Sequence, residues 1–389
     1  MHVINTLGCA GAENMLCEMV AGMDGARFEN EIVSLTDILD QADKMQAMGV
    51  RVRSLNMKRR APNPLQVLRL ARWIRESEPD LVHAWMYHSN LVGSLAAWLA
   101  GRVPVVWGIH HSELDVRVDK RITILVNRVC AFLSGKLAAR IVCCSEASLR
   151  IHKDHGYAAE KMEVIPNGFN LVQFRPDPAA RASVREELGI PTDGFLIGMA
   201  ARFHPQKDHR NFVRAAGRLS KQIPKAHFLL CGRDVSWQNS RLAKWIDEAG
   251  VRESCHLLGV RWDTARLFAA MDIVTTASFS GEAFPIVVGE AMACETPCVV
   301  TNVGDSALIV GSTGEVVAPG DPDALAQAWR KLIESGPEAR RQLGMAARRR
   351  VQQHFALPVI VGRYQAIYAQ LAHGSLPGIT SARMSQYAR

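Results

Sequence analysis

Short apolar or β-branched runs alternate with longer stretches of 3.6-residue periodicity along this chain, and they do so twice. Such alternation is typical of βα units that build a parallel sheet covered by helices. We therefore predict an α/β protein with two parallel sheets. The strand candidates of the first half are residues 2–5, 31–35, 51–55, 80–84, 103–109, 141–144 and 162–165. Those of the second half are residues 195–200, 227–231, 255–258, 272–276, 297–301 and 315–317.

A stretch rich in turn formers, from Pro166 to Pro178, separates the two halves. We expect a Rossmann-like domain over residues 1–170 and a second one over residues 171–355. A helix over residues 356–372 should pack back on the first domain, and the Gly/Ser/Pro-interrupted segment 373–389 should be disordered. Because open parallel sheets bind ligands at the carboxyl ends of their strands, we expect the two domains to face a central cleft.

Composition excludes several classes of protein. Hydrophobic residues at 48% and charged residues at 22% match an ordinary globular chain, and no run approaches the roughly 18 apolar residues of a spanning helix. The nine cysteines are scattered without a Cys-x-x-Cys pair, so we expect small buried side chains and neither disulfides nor zinc sites. The chain opens without a secretory leader pattern, which predicts a cytoplasmic protein or one at the inner face of the cytoplasmic membrane.

The net charge of +8 is unevenly distributed. Residues 1–50 hold two basic and eight acidic side chains, whereas residues 51–150 hold sixteen basic and seven acidic ones. Such a local excess predicts an anionic partner for one face, either phosphates or acidic lipid headgroups.

The segment 117–140 mixes basic with apolar side chains, and Lys58–Arg60, Arg69 and Arg72 add to the basic surface. We expect this domain to contact an acidic membrane; an ordinary solvated basic surface is the alternative. The arginines of the penultimate helix are expected to be solvated: Arg340, Arg341, Arg348, Arg349 and Arg350.

A helix that follows a strand of the second half carries two glutamates with seven residues between them. Glu282 should lie at the helix start, Pro285 in the first turn, and Glu290 about two turns beyond Glu282. The free N–H groups and partial positive charge of a helix N-terminus suit a diphosphate, and Glu290 could accept hydrogen bonds from sugar hydroxyls. Alternatively, Glu282 only interacts favourably with the helix dipole and Glu290 is solvated.

The segment 280–305 resembles the signature of family 4 of the retaining glycosyltransferases, which have two Rossmann-like domains in the GT-B architecture. The resemblance rests on Glu-x7-Glu, on the Ala-Met-Ala that follows Glu290 and on the strand that ends in Asn-Val-Gly-Asp. It extends from residue 1 to about residue 370.

A cationic pair follows the strand candidate 195–200. Arg202 and Lys207 lie five residues apart across a turn that contains Pro205, and two cations at a strand end can neutralise a departing diphosphate. In the family, the arginine and lysine of this loop grip the nucleotide diphosphate, so the resemblance implies that role here. A solvated basic loop is the alternative.

In the first half, the loop from Gly8 to Glu13 resembles the family's first glycine loop, usually Gly-Gly-Ala-Glu, with Ala10 replacing one glycine. Gly11 keeps room for the backbone to approach a donor or acceptor. His110 follows the strand candidate 103–109 and matches the family's histidine near the donor sugar, where it could hydrogen-bond a hydroxyl or support charge at the anomeric carbon.

Four further histidines, His83, His88, His111 and His204, are expected to line the site at most, because their spacing forms no metal site. Asp321 and Asp323 form the only Asp-x-Asp sequence, which we interpret as a helix N-cap followed by Pro322, and no metal site is predicted.

Other loops also match the family's order. Gly232–Asp234 and Gly259–Arg261 correspond to the loops that surround the base and diphosphate. Residues 165–170 resemble the interdomain motif, with Asn170 replacing the usual aspartate; either side chain can cap a turn. Glu295 stands where the family usually has glycine.

The resemblance implies a retaining, metal-independent glycosyltransferase that uses no cofactor. It would move a hexosyl group from a nucleotide diphosphate sugar, with UDP-sugars favoured, to a hydroxyl of a saccharide or lipid-linked acceptor in bacterial polysaccharide or glycolipid assembly. The implied catalytic residues are His110, Glu282, Arg202 and Lys207. The implied donor-binding residues are Gly11, Arg202, Lys207, Gly232, Arg233, Val260, Glu282, Ala283, Phe284, Pro285, Ile286 and Glu290.

Two other functions stay open for this architecture: a nucleotide-sugar epimerase and a catalytically inert nucleotide-sugar-binding subunit. Nucleic-acid binding is not expected, because the sequence has no basic stripe interleaved with aromatic residues and no known reading module.

Overall fold

The structure is a computed structural model that describes residues 1–8, 11–36, 41–58, 64–112 and 121–372. The chain divides into two compact units. The first combines Met1–Gly168 with Leu357–Ala372, and the second spans Phe169–Ala356. The sequence places these boundaries at residues 170 and 355. The segment 373–389, expected to be disordered, lies outside the described residues.

In the described part of the first unit, seven parallel strands form one sheet in the order β3-β2-β1-β4-β5-β6-β7. The strands are β1 His2–Ile4, β2 Glu31–Ser34, β3 Arg51–Ser54, β4 Val82–Trp85, β5 Val105–Ile109, β6 Arg140–Cys143 and β7 Met162–Val164. The helices between them are α1 Gly11–Gly22, α2 Gln41–Ala47, α3 Leu65–Ser77, α4 Tyr87–Leu99, α5 Arg121–Leu137 and α6 Glu146–Asp154.

Helices cover both faces of this sheet, so its inner strands β1, β2, β4, β5 and β6 are mostly buried, whereas the edge strands β3 and β7 are more exposed and more polar. Successive residues enter different cores: Val3 and Val105 pack with α3, α4 and α5, whereas Ile4 and Val106 pack on the side of α1 and α2. Helices α3, α4 and α5 therefore form one layer over the sheet, with α4 between the other two.

The second unit repeats this plan with six described parallel strands in the order β10-β9-β8-β11-β12-β13. The strands are β8 Phe195–Ala200, β9 Ala226–Cys231, β10 Cys255–Leu257, β11 Ile273–Thr276, β12 Cys298–Thr301 and β13 Gly314–Val317. The helices are α7 Pro178–Glu187, α8 His209–Ser220, α9 Ser240–Ala249, α10 Thr264–Ala270, α11 Ile286–Ala293, α12 Ser306–Val310, α13 Pro322–Glu334 and α14 Gly336–His354.

The last described helix, α15 Leu357–Ala372, belongs to the first unit and packs on α1. Its Tyr364 and Tyr368 are buried against the sheet. All thirteen strands overlap the predicted runs, and their ends differ from the predicted ones by at most two residues.

The arginines of α14 correct the sequence-based expectation. Arg341 and Arg349 are exposed as predicted, but Arg340, Arg348 and Arg350 bond to backbone carbonyls. Arg348 donates to the carbonyls of Phe174 (3.1 Å) and Ala293, and Arg350 donates to that of Leu308 (2.7 Å). Because Ala293 ends α11, the Arg348 cation complements the partial negative charge of that helix terminus.

Glu295, the departure from the family's glycine, has a φ of 59°, in the left-handed region that glycine adopts without strain. The backbone of Glu295 also lies very close to helix α14: a Cβ atom at Gly344 would be 2.0 Å from the Glu295 carbonyl oxygen.

Three smaller predictions are confirmed. Asp321 caps α13, accepting the N–H of Ala324 at 2.9 Å, with Pro322 in the first turn. Asn170 caps a turn through the N–H of Val172 at 3.1 Å. The eight cysteines within the described residues are free and buried, and Cys9 lies outside them.

Across the described ranges, no helix has both the length and the hydropathy needed to span a membrane.

Candidate functional site

The loop after β8 presents the two predicted cations. A short 3-10 turn, Pro205–Lys207, is capped by His204, and Asp208 then caps α8 from a left-handed conformation. Arg202 is exposed and has no ion-pair partner within the described residues. The Lys207 side chain is 27% exposed and extends toward Glu282.

Glu282 is held by two donors from separate loops. The Lys207 ammonium group donates to Glu282 Oε1, and the Ser278 hydroxyl, just beyond β11, donates to the same oxygen at 2.6 Å. The Glu282 side chain is only 10% exposed, so a charged partner is needed to offset its loss of hydration. The sequence predicts Lys207 and Glu282 individually; Ser278 was missed, because a lone serine after a strand carries no distinctive pattern.

Backbone contacts fix the relative positions of these loops. The Phe279 N–H donates to the Gln206 carbonyl at 2.8 Å. Gly281 has a φ of 74°, and a side chain there would meet the Gln206 amide at 2.2 Å. Gly304 has a φ of 58°, and a side chain there would meet the Glu282 carbonyl oxygen at 2.3 Å. The backbone contact therefore requires glycine at position 304, whereas at position 281 it is the left-handed backbone conformation that favours glycine, because the Gln206 side chain could move away.

Gly232 and Arg233, predicted from the loop after β9, join the same edge of the sheet. Gly232 has a φ of 142°, and a side chain there would lie 2.2 Å from the Ala201 carbonyl oxygen. The Phe203 N–H donates to the Arg233 carbonyl at 2.8 Å, and the Arg233 side chain is exposed. The structure thus brings the loops of Arg202, Gly232 and Arg233 together.

Helix α11 begins at Ile286, so Glu282, which the sequence places at the helix start, lies in the preceding loop. Pro285 takes the N-cap position with a ψ of 104°, and no side chain caps this terminus in the described structure. The first N–H groups of α11 are therefore open to an anion. Ala283 and Phe284 are buried, and the Phe284 ring stacks on Phe169 with centroids 6.0 Å apart. These two residues can meet a ligand only through their backbone.

Glu290 lies in the second turn of α11, among apolar residues. Its carboxylate forms no ion pair or hydrogen bond within the described residues, and burial raises its pKa to about 7. A polar ligand that donates hydrogen bonds would stabilise the ionised form and bring this pKa down.

Val260, predicted from the loop after β10, is 52% exposed. Its neighbour Arg261 is engaged by Asp263 and by Glu187 at 2.9 Å, which raises the Arg261 pKa and lowers that of Asp263 to about 2. Arg261 is therefore neutralised within the protein, unlike Arg202.

In the first unit, His110 follows β5 as predicted. Its ring stacks on Trp85 with centroids 5.0 Å apart, and Trp85 in turn stacks on His83 at 4.4 Å. Burial lowers the His110 pKa to about 4, an effect that the nearby Asn167 side chain opposes. His110 is therefore neutral at physiological pH and can donate or accept one hydrogen bond at each ring nitrogen, according to its tautomer.

His83 is a structural residue. It is fully buried, bonds through Nδ1 to the Tyr368 hydroxyl at 2.5 Å, and has its pKa lowered by burial. Gly11 is exposed at the first position of α1, whereas Cys9 and Ala10 of the predicted glycine loop lie outside the described residues. No group of three or more potential metal ligands occurs within the described ranges.

Two family models match this chain. The model of the glycosyl transferases group 1 covers residues 180–350, and that of glycosyltransferase family 4 covers residues 10–173. Each model therefore falls largely within one structural unit.

Characterised relatives are similar over a large part of the sequence. A UDP-Gal:alpha-D-GlcNAc-diphosphoundecaprenol alpha-1,3-galactosyltransferase of Escherichia coli is 25% identical over 306 residues, 77% of each chain. A D-inositol 3-phosphate glycosyltransferase of Paenarthrobacter aurescens is 31% identical over 54% of this chain and 52% of the relative.

Solved structures share the fold. The crystal structure of Anabaena HepE in complex with UDP matches with a TM-score of 0.82 and 23% identity, covering 95% of this chain and 100% of that one. A glycosyltransferase from Rickettsia africae matches with a TM-score of 0.82 and 19% identity, covering 96% and 99%. The chain belongs to the group 1, family 4 glycosyltransferases and has their GT-B fold of two parallel-sheet domains.

Proposed function

We propose that this glycosyltransferase moves a sugar from a nucleotide diphosphate sugar to an acceptor hydroxyl with retention of anomeric configuration. The observation that carries the proposal is the Lys207–Glu282–Ser278 arrangement beside the uncapped start of α11. A departing diphosphate needs positive charge and N–H donors fixed in advance of the reaction. The Lys207 ammonium group, positioned by Glu282, supplies the charge together with Arg202, which is unpaired within the described residues, and the first turn of α11 supplies the N–H donors.

Each site residue has a proposed role. Arg202, Lys207 and the first N–H groups of α11 hold the diphosphate, while Glu282 contacts the donor sugar. Glu290 accepts hydrogen bonds from the ribose hydroxyls, a role that its half-buried carboxylate favours, because that carboxylate has no ion pair or hydrogen bond within the described residues. The neutral imidazole of His110 hydrogen-bonds the donor sugar near the anomeric carbon.

The proposed chemistry is metal-independent and uses no cofactor. The two cations and the helix terminus provide the charge that a divalent cation supplies in other enzymes. Attack occurs on the face that the diphosphate leaves, and a leaving phosphate oxygen takes the proton of the acceptor hydroxyl. The C–O bond to phosphate breaks, a C–O bond to the acceptor forms, and the nucleoside diphosphate is released.

The relatives favour a UDP-sugar donor and a saccharide or lipid-linked acceptor. The Escherichia coli relative is named for UDP-Gal and a diphosphoundecaprenol-linked acceptor, and HepE was crystallised with UDP and with UDP-glucose. We extend both features to this chain as proposals, together with peripheral contact between its basic first unit and an acidic membrane at the cytoplasmic face.

Calorimetric titration with UDP, GDP and ADP, first without metal and then with magnesium, tests the donor site. We expect UDP to bind without metal and to raise the melting temperature. Failure of all three nucleotides to bind would contradict the proposed diphosphate site.

Turnover separates the alternatives. With a UDP-sugar and a lipid-diphosphate-linked saccharide, a transferase releases UDP in proportion to acceptor consumed. Conversion of the donor in the absence of acceptor would instead indicate an epimerase, and binding without any turnover would indicate an inert subunit.

A further inference from the structure

The layer of α3, α4 and α5 has an unusual outer surface. Eight of the 15 large hydrophobic side chains that are exposed in the described residues lie on these three helices. They are Leu65, Leu68, Leu95, Trp98, Leu99, Ile122, Leu125 and Phe132. Because the opposite sides of these helices cover the sheet, the exposed side chains point away from the unit.

Helix α4 is the most apolar of the three. Its outer stripe consists of Leu95, Trp98 and Leu99, spaced as one face of a helix requires. Trp98 is 54% exposed, whereas Gly93 on the inner side packs against Val3 and Ala84 of the sheet. This helix contains no charged residue at all.

Helix α5 adds positive charge to the apolar stripe. Ile122, Leu125 and Phe132 project outward, and Phe132 is 82% exposed. Arg121, Arg128 and Lys136 share this exposed side of the helix. A helix with an apolar stripe flanked by basic side chains has the pattern of segments that lie at a membrane interface.

The charge of the layer has one sign. Helices α3 to α5 contain six basic residues, Arg69, Arg72, Arg75, Arg121, Arg128 and Lys136, and Glu76 is their only acidic one. Glu76 is already paired with Arg72 at 2.7 Å.

The other face of the same sheet differs. Helices α1 and α2 contain Glu13, Glu18 and Asp43 against a single Lys44, and neither helix exposes a large hydrophobic side chain. The combination of exposed apolar and basic side chains found on α3, α4 and α5 is therefore not repeated on α1 and α2.

We propose that the outer surface of α3, α4 and α5 docks on an anionic lipid bilayer, with Trp98 and Phe132 entering the headgroup region. Aromatic side chains favour that depth, and the six cations are attracted to acidic headgroups. This inference deepens the proposed function, because it names the surface through which the enzyme meets the membrane that holds a lipid-linked acceptor.

The charge also disfavours a second copy of the chain as the occupant. A symmetric dimer through this surface would bring its two sets of cations together, which costs association free energy, whereas acidic lipids neutralise them. Relative to the sequence-based expectation, the structure adds α4, which charge alone does not single out. Arg59, Arg60, Arg117 and Lys120 lie outside the described residues.

Co-sedimentation of the full chain with lipid vesicles tests the docking surface. We expect binding to phosphatidylcholine vesicles that contain about 30 mol% phosphatidylglycerol, and little binding to phosphatidylcholine alone. Raising NaCl from about 0.1 M to about 0.5 M should reduce the bound fraction, since salt screens the attraction.

Paired variants assign the binding to this surface. The double variant Trp98→Ser/Phe132→Ser should lower the vesicle partition coefficient about tenfold or more, because it removes both inserted rings. The matched control is Trp262→Ser/Val172→Ser, which replaces two side chains of the second unit that are 79% and 80% exposed. The control should bind as the wild type does.

A second pair tests the charge. Arg121→Glu/Arg128→Glu/Lys136→Glu should abolish binding to anionic vesicles, whereas Lys244→Glu/Arg341→Glu/Arg349→Glu reverses three exposed cations of the second unit and should retain most of it. Both triple variants change the net charge equally, so a difference between them reflects position.

Nucleotide titration of every variant separates this inference from the proposed function and shows that each chain is folded. UDP binding with no vesicle binding by the wild type would overturn the docking surface alone. Equal vesicle binding by all variants would do the same. A wild-type dimer in sedimentation velocity that Trp98→Ser/Phe132→Ser converts to monomer would assign the surface to self-association.

Discussion

The carboxyl edges of the two sheets differ in the charge of the side chains that they present. In the second unit, Lys207, Glu282 and Arg202 are ionic groups on loops joined by backbone hydrogen bonds and glycine contacts. In the first unit, the corresponding edge presents His110, a neutral imidazole stacked on Trp85. Under the proposed function, we therefore assign stabilisation of the charged leaving group to the second unit and uncharged hydrogen bonding to the first.

Solvent access explains the difference. Lys207 is partly exposed, and its ammonium group is paired with the Glu282 carboxylate. His110 has an aromatic neighbour and little water, so burial lowers its pKa to about 4.

The largest expected effect follows from removing the Lys207 ammonium group. Lys207→Ala should lower kcat by about 100-fold to 1,000-fold, because it removes charge that stabilises the departing diphosphate, while the Kd for UDP-sugar changes less. Steady-state kinetics and calorimetry measure the two quantities, and Lys207→Arg serves as the charge-retaining control. Wild-type activity in Lys207→Ala would break the assignment of leaving-group stabilisation to the second unit.

A smaller effect concerns Glu290 and the pH dependence of stability. Its pKa is raised from 4.5 to about 7 on folding. Its contribution to stability is therefore fully present below about pH 4.5 and is lost as the pH rises through about 7, by up to about 3 kcal/mol.

Glu290→Gln keeps the neutral form at every pH and should remove this loss. Melting temperatures of both proteins at about pH 5 and about pH 8, without nucleotide, measure the difference. If the melting temperatures of the wild type and Glu290→Gln depended on pH in the same way, Glu290 would not be the group whose ionisation destabilises the folded chain. At about pH 8, where Glu290 is ionised, the donor should bind the wild type more tightly than it binds Glu290→Gln.

The smallest effect is expected at His110. Its loss removes a single neutral hydrogen bond, so His110→Ala should lower kcat/KM by about tenfold. Since the imidazole is already neutral, the variant and the wild type should have pH–rate profiles of the same shape above about pH 5.5. An acidic limb near neutrality that only the wild type shows would mean that His110 is protonated in the working enzyme, and the two sheet edges would then resemble each other.

The sequence was informative where a local pattern has one structural outcome. Short apolar runs such as 195–200, set between stretches of helical periodicity, predict buried parallel strands, and the structure confirms them. The prediction that Arg348 and Arg350 are solvated is wrong. Their partners are backbone carbonyls distant in sequence, and the sequence of a basic helix does not show which carbonyls its arginines contact. Glu295 likewise reveals its left-handed backbone only in the structure.

For the candidate site, motifs give the participants but not their contacts. The sequence predicts the helix that carries Glu290 but places Glu282 at its start, whereas the structure begins this helix at Ile286. The bond from Lys207 to Glu282 joins residues 75 positions apart, and the third member, Ser278, has no motif of its own. Contacts between side chains on different loops can be identified only when the order of the strands, which brings these loops to one edge of the sheet, is known.

The two points where the chain passes between units have a consequence for engineering. Within the second unit, the Phe169 N–H bonds to the Phe355 carbonyl at 2.8 Å, so the beginning and end of that unit are paired. Within the first unit, Gly168 lies against Leu357, where a side chain on the glycine would meet the Leu357 Cα at 2.9 Å. In the sequence, the second unit is thus a continuous insertion between two parts of the first unit. We expect that residues 169–356 can be removed as one segment and that a short linker can join Gly168 to Leu357.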